Sequence, residues 1–349
     1  MSGAGNAMRG IRDWFFARGR APATAAPRPS ASELTRLSGD EGPHGTVSCD
    51  QLEESFYRFI LNLPVDAGEQ AQPALEQMLL QRLKDTCDSG RFDVRSLPRM
   101  PSVLPQLMRA MKSDTVNGAQ LADLIRRDPV LVGEVMRVTG SVTYRTAHPI
   151  GSLQHAVVLL GQIGLRHVVT SYVMKPILMA SAGNSGQVVG QRLWDHAERS
   201  AHAAVFLSKG QCDPFEAYLA GLVGFTGLGA IARLMDRGLG QDQPACSSLF
   251  IAGCARLAAQ LTVQASRHWD LPPPVLDALV EQAESTADAM TLPMSRVLHV
   301  AQRLAMRQLL AEQGLLDGDT DYAGEAFSPF PAPLLARCRQ DLRKNFAEP

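Results

Sequence analysis

Apolar residues recur at helical spacing along most of the chain from about residue 48 onward. Leu52, Phe56, Phe59, Ile60 and Leu63 share one helical face just after Ser48-x-x-Gln51, which has the form of a capping box. A second helix is predicted from about Pro73 to Cys87. Leu97-Pro98-Arg99-Met100-Pro101 then reads as a rigid extended lead-in, after which Val103, Leu104, Leu107, Met108 and Met111 line another face. Further stripes are formed by Leu121, Leu124 and Ile125, by Val132, Val135 and Met136, and by Leu153, Ala156, Val157 and Leu160. Asp128-Pro129 and Asp213-Pro214 each pair an N-cap acceptor with a residue pre-set for the first helical position. In the helix predicted from Leu193 to Leu207, the small Ala197, Ala201 and Ala204, with Val205 beside them, permit close contact with another helix. Pro272-Pro273-Pro274 marks a sharp joint before Val275 to Ala283. Beyond Gly314 the chain is polar and Pro-rich through Pro333, and Leu334 to Phe346 is predicted as a last, charged helix. No segment alternates with period two between hairpin turns, although His167 to Val173 is β-branched enough to be ambiguous. The expected fold class is all-α.

The pattern fails before residue 46. Ala21 to Gly45 is mostly Ala, Pro, Ser, Gly and Thr, too poor in large apolar side chains to offset the entropy of ordering, so residues 1–45 read as a disordered arm. Within it, Trp14, Phe15 and Phe16 stand among Arg9, Arg12 and Arg18. That stretch reads as a weak membrane-surface or partner contact, or, as composition favours, a solvated tail. The expected division is the arm, a helical extension at 46–92, a main helical body at 93–310, and a polar tail with a short terminal helix at 311–349.

Composition narrows the function classes. The 349 residues are 45% hydrophobic and 20% charged, enough for one sizeable core or two modest ones. The 34 Lys and Arg nearly cancel the 35 Asp and Glu, leaving a formal charge of -1, so general nucleic-acid binding is not expected. The six cysteines show no C-x-x-C spacing and sit mostly in apolar helical stretches, as reduced thiols of a cytoplasmic protein do. The apolar run Ile11 to Phe16 is interrupted by Arg12 and Asp13, and a secretory signal is not expected. The uncharged stretch Ala217 to Ala232 falls short of the roughly 20 residues needed to span a bilayer. Its four glycines mark it as buried core, and no transmembrane segment is expected.

Most catalytic signatures are missing. Lys112 is the only Lys followed by Ser or Thr, and Met111 precedes it, which rules out a Walker loop. The glycines from Gly221 to Gly229 lack dinucleotide-fingerprint spacing and follow a helical segment, which leaves a weak phosphate-cradle reading. There is no G-x-S-x-G elbow around Ser185 and no H-E-x-x-H. The eight histidines are scattered.

Several pieces, taken in order, resemble one known family. Leu97-Pro98-Arg99-Met100-Pro101 with Val103 and Leu104 comes first, then Ile125-Arg126-Arg127-Asp128-Pro129-Val130-Leu131, then Tyr144 leading to Ile150-x-Ser152-Leu153-x-x-Ala156. Leu159-Leu160-Gly161, Leu165-Arg166, Trp194-x-His196, Ala220-Gly221-Leu222-Val223 and Trp269-x-Leu271-Pro272 follow. Together they resemble the HDOD family, the HD-related output domain, over roughly residues 93–310. The resemblance implies an HD-like helical bundle preceded by a smaller helical part, and a role in bacterial signal transduction.

The departures carry the functional expectation. Where catalytic HD proteins place His and Asp side by side, this chain reads Gly224-Phe225, and no His is followed by Asp anywhere. Where the related enzymes have a further His after the Trp-x-Leu-Pro segment, it reads Val280-Glu281-Gln282-Ala283. Of the former site only His196 remains at a position resembling a metal ligand, with Gly224, Phe225 and Gln282 at the degenerate ones. A hydrolytic metal site needs around three protein ligands and an open water position. The expectation is therefore a non-catalytic regulatory module without cofactor or metal, acting through a protein partner in a bacterial signalling pathway. His196 is then a satisfied helix histidine. Two alternatives stay open. One is a divergent metal-dependent phosphohydrolase using Asp195, Glu198, Glu281 or Glu284 as replacement ligands. The other is a non-hydrolysing nucleotide sensor that retains the old pocket, with Arg192, Arg199 and Arg233 serving phosphate.

Overall fold

A computed structural model describes residues 49–64, 73–88, 118–126, 129–139, 152–179, 186–239, 246–317 and 329–346. The readings made on the N-terminal arm, on Leu97 to Met111 and on Tyr144 to Ile150 lie outside the described residues. Every longer described element is an α-helix, and no strand occurs among them, so the fold is all-α. The chain divides into two units, one of residues 1–28 and 100–176 and one of residues 29–99 and 177–349.

α1 (Cys49–Leu61) and α2 (Pro73–Asp88) belong to the second unit, and the first contains α3 (Gly118–Arg126), α4 (Pro129–Thr139) and α5 (Leu153–Met179) up to Pro176. Ala122 and Ile125 of α3, Leu131, Val135 and Val138 of α4, and Ala156, Leu160, Leu165 and Val169 of α5 are buried. Of the stripes seen in the sequence, Ile125, Val135, Ala156, Val157 and Leu160 are buried, while Val132, Met136 and Leu153 are half-buried. α5 is broken at Gly161, where φ is 63° and ψ 178°, a conformation open to a residue without Cβ. The β-branched run His167 to Val173 is helical: its Val168, Val169, Thr170 and Val173 are buried, and tertiary burial overrides a modest strand preference.

The second unit holds α1, α2, α6 (Gly186–Leu207), α7 (Pro214–Val223), α8 (Thr226–Leu239), α9 (Ser248–His268), α10 (Pro273–Glu284), α11 (Pro293–Glu312) and α12 (Ala332–Phe346). α7 begins as its sequence dictates, with Asp213 accepting from the backbone N–H groups of Phe215 and Glu216, both at 2.9 Å, and Pro214 in the first turn. Every residue of α7 from Ala217 to Val223 is buried. Two glycines let its neighbours approach. A Cβ on Gly221 would lie 2.5 Å from Ala201 Cα of α6, and one on Gly227 of α8 would lie 1.9 Å from Ala258 O of α9. The glycine run is thus helix-to-helix contact surface, with Ala201 supplying the small residue opposite. Pro214–Asp236 is long and apolar enough to cross a membrane by length and composition, and 78% of that window is buried within the protein.

α1 and α2 are tied to the same body. Arg58 of α1 donates to Pro64 O at 3.0 Å and Cys246 O at 2.8 Å, and Glu76 of α2 accepts from the Ser247 N–H at 2.7 Å at the start of α9. α1 ends at Asn62, whose φ of 57° closes the helix while the Leu63 N–H returns to Arg58 O at 2.9 Å. At the other end of the chain, α12 buries Leu335, Cys338, Leu342 and Phe346 against Ala203, Ala204 and Leu207 of α6 and Val297, Ala301 and Leu304 of α11. The described cysteines Cys87, Cys212, Cys246, Cys254 and Cys338 are free thiols. Burial pushes Cys87, Cys212 and Cys246 up to about 11 and Cys254 and Cys338 higher still, so all five stay un-ionised.

Candidate functional site

Three of the four degenerate-site residues meet in the second unit. His196 sits mid-way along α6 and is fully buried, because the helix face that carries Leu193, Ala197 and Ser200 turns into the core. Gly224 and Phe225 form the corner between α7 and α8, and that corner swings the Phe225 ring onto His196, with centroids 4.6 Å apart in an edge-to-face arrangement. A Cβ on Gly224 would lie 2.4 Å from the Gln302 side-chain nitrogen, so α11 closes this corner from the other side. Gln282 goes elsewhere. Its amide donates to Ser295 O at 3.4 Å, seven residues or about two turns before Gln302 on α11.

The largest contributor was not singled out by sequence. Phe56 of α1, fully buried, packs 4.5 Å from the His196 ring and 5.4 Å from Phe225, and Tyr57 lies 6.1 Å from Phe225. Phe225, expected at the centre of the core, is only half-buried and forms the edge of the cluster, while Phe56 takes the centre. Phe56 was legible as one member of an apolar stripe. Nothing in its spacing says which histidine lies beneath it.

The chemistry of this pocket is that of a neutral histidine in an apolar cage. His196 Nε2 lies 3.3 Å from Gln302 O and donates to it, which leaves Nδ1 as the unprotonated nitrogen; that atom is buried without a hydrogen-bond partner. Burial pushes the imidazole down to about 3, the Gln302 carbonyl opposing this and the Arg199 charge adding to it. Beside the cage, Arg303 of α11 reaches Glu53 of α1 and sits 2.7 Å from His299 Nδ1. His299 is likewise pushed down to about 3, by burial and then by Arg303. The Tyr57 hydroxyl is raised well above its ordinary value, by burial and then by Glu53.

The residues around His196 do not fit a metal ion. Two of its faces are covered by Phe56 and Phe225, and among the described residues no group of three His, Cys, Asp or Glu side chains converges to hold one. Three of the four acidic residues considered as replacements are committed or turned away. Asp195 accepts from Gln191 at 2.7 Å, and Glu284 is exposed at the end of α10. Glu281 accepts from the Thr291 N–H and hydroxyl, both at 2.7 Å, and from the Leu292 N–H at 3.1 Å, bracing the entry to α11. Burial is the largest single influence on its pKa and raises it, but these bonds and one from Ser295 together bring it down to about 2. Two arginines proposed to serve phosphate face different neighbours. Arg192 donates to Asn62 Oδ1 at 3.1 Å and lies over the Phe59 ring at 4.1 Å, while Arg199 reaches Glu312 and stacks on Phe346 at 4.8 Å.

Comparison with known proteins shows the family. The model of the HDOD domain matches residues 97–285, more than half of the chain. The chain belongs to the HDOD domain family. Its fold also resembles that of two solved structures. A protein from Marinobacter aquaeolei VT8, provisionally named a signal transduction protein, is 20% identical with a TM-score of 0.53, over 79% of this chain and 65% of that one. A protein from Shewanella amazonensis SB2B, provisionally named a metal-dependent phosphohydrolase, is 16% identical with a TM-score of 0.50, over 77% of this chain and 98% of that one. At such identities the likeness shows the fold alone. An uncharacterized protein of Treponema pallidum (strain Nichols) is 24% identical over 234 residues, 66% of this chain, and this HDOD protein spans about 40% of the length of that relative.

Proposed function

We propose that this HDOD protein is a non-catalytic signal-transduction module of the bacterial cytoplasm, which acts through protein contacts and hydrolyses no phosphoester. The observation that carries the reading is the aromatic packing at His196: the Phe56 and Phe225 rings lie 4.5 Å and 4.6 Å from it, and among the described residues no three ligating side chains converge there. The imidazole is held neutral, with Nε2 on a backbone carbonyl and Nδ1 buried without a hydrogen-bond partner, and among the described residues no group of ligating side chains joins it. Gln302 pressed against Gly224 supports the same reading, since a ligand side chain at position 224 would first have to displace it. A signalling role is in keeping with the family.

The test is elemental analysis of protein purified without chelator, alongside assays on cyclic nucleotides and other phosphodiesters. The expected result is substoichiometric metal and no turnover, and affinity capture from the native cell that returns a defined protein partner. Zn, Mn or Fe near one per chain, together with turnover that His196→Ala abolishes, overturns the proposal.

A further inference from the structure

The terminal helix α12 is amphipathic. Its buried apolar side chains Leu335, Cys338, Leu342 and Phe346 recur at helical spacing and share one face, while Ala336, Arg337, Gln340, Arg343 and Lys344 are exposed on the other. The apolar face fills a groove lined by Ala203, Ala204 and Leu207 of α6 and by Val297, Ala301 and Leu304 of α11. The alanines let a helix lie close. This is the geometry of a helix in a hydrophobic groove, a recurring mode of protein recognition, with the occupant supplied by the chain itself. The end of α12 adds a polar seam. Asp341 pairs with His202 of α6, and since a carboxylate only accepts, His202 Nε2 is the donor. Phe346 stands edge-on to the His202 ring at 5.5 Å and under the Arg199 guanidinium at 4.8 Å. Asn345 fits less well. Its Nδ2 donates to Asp341 O at 2.8 Å but also lies 3.2 Å from His202 Nε2, donor against donor. Its buried Oδ1 has no hydrogen-bond partner among the described residues. Turning the amide over gives Oδ1 the Nε2 proton and takes the donor from Asp341 O, so neither orientation satisfies both contacts. An apolar grip with an ion pair and a polar mismatch has the make-up of an exchangeable contact rather than of an obligate core.

We propose that the groove between α6 and α11 is the surface through which this module docks its partner, and that α12 holds it in cis until an amphipathic helix of the partner displaces it. That helix carries aliphatic or small apolar residues in the places of Leu335, Cys338 and Leu342. It carries an acidic residue in the place of Asp341, to meet His202, and an aromatic ring in the place of Phe346, to meet Arg199. A small side chain in the place of Asn345 removes the mismatch, an advantage over α12. The partner needs one, because a tethered helix competes at an effective concentration on the order of mM. The proposal rests on the protein-contact function and adds the surface, the chemistry of the partner and an autoinhibitory contact.

Hydrogen exchange on the full parent chain is the first test. Amides of α12 are expected to exchange about tenfold or more faster than those of α6 and α11, through an opening that leaves those two helices intact. The second is fluorescence anisotropy with a labelled synthetic peptide of residues 329–349. Leu335→Asp/Leu342→Asp puts charge on the buried face and is expected to release α12 in the full chain; Asp341→Lys, at a half-exposed position, is the milder release if the double variant does not fold. The released chain should bind the peptide saturably and about tenfold or more tightly than the parent, whose own α12 competes. A peptide with Asp341→Lys should bind it about tenfold or more weakly than the unaltered peptide. Excess peptide should also release the partner captured with the parent chain. Amides of α12 as protected as those of α6 and α11, a folded released chain that binds no peptide, equal binding of the Asp341→Lys peptide, or a captured partner that stays bound overturns the proposal. Metal content and turnover test the non-catalytic reading separately: stoichiometric metal with turnover sinks that reading, whereas an inactive protein whose partner ignores the peptide sinks this surface alone.

Discussion

Replacing Phe56 by Ala tests whether α1 truly fills the former site. Phe56 is fully buried and touches both His196 and Phe225, so its removal leaves a void that the surrounding helices close only in part. Large-to-small changes of this kind cost about 3–5 kcal/mol, of which roughly 0.5–1.5 kcal/mol belongs to the aromatic contacts. For a folded body of this size, each kcal/mol lowers the melting temperature by about 2–4 °C. Phe56→Ala is therefore expected to lower the transition of the second unit by about 6–20 °C. Phe225 is half-buried, so Phe225→Ala should cost about half as much, and the double variant should show a coupling of roughly 0.5–1.5 kcal/mol. Scanning calorimetry with urea titration at constant m-value measures both quantities. If Phe56→Ala melts within about 2 °C of the parent, or if the two changes add with no coupling, α1 does not seal the pocket and the case for a closed site collapses.

Three more outcomes follow from the same contacts. His196 and His299 are held neutral to about pH 3, against about 6.5 in the unfolded chain, so the unfolded state takes up more protons as pH falls. Their stabilisation is complete above about pH 6.5 and declines toward pH 3. At pH 5 His196 alone should account for about 2 kcal/mol of the loss, which His196→Phe removes; urea midpoints at pH 7.5 and 5 that fall equally in parent and variant speak against it. Gly227→Ala drives a methyl into Ala258 O, where the Cβ would lie at 1.9 Å, and should unfold or severely loosen the contact of α8 with α9 at a cost above about 3 kcal/mol; a variant with the parental melting point refutes that packing. Glu281→Gln weakens the acceptor for the Thr291 and Leu292 N–H groups and should cost about 1 kcal/mol near neutral pH, with less effect as pH falls toward 2 and the parent carboxylate becomes protonated; denaturant titration at neutral and acid pH checks both the size and the trend.

The local code determined most of the helices. Periodicity placed α2 within a residue of where it lies, Asp128-Pro129 marked the start of α4, and the Asp213-Pro214 signal marks the first turn of α7 with its cap bonds in place. These features rest on interactions between residues three or four apart, which spacing records directly. The absence of any His-Asp dipeptide was equally legible, because it is a matter of residue identity. What filled the space was not. Phe56 reaches His196 across 140 positions and Gln302 across 106, and no periodic pattern encodes which faces of distant helices meet. The same holds for Gly221 and Gly227, whose meaning as points of closest approach appears only when α6 and α9 are laid against them. The arginines make the contrast plain. Arg192 and Arg199 are seven residues apart and read as one helical face, yet tertiary packing sends one to the end of α1 and the other to Glu312. Sequence determined the helices, because their periodicity and caps are local. The closing of the cage and the seating of α12 were decided by packing, because a side chain's partner depends on where other helices put theirs.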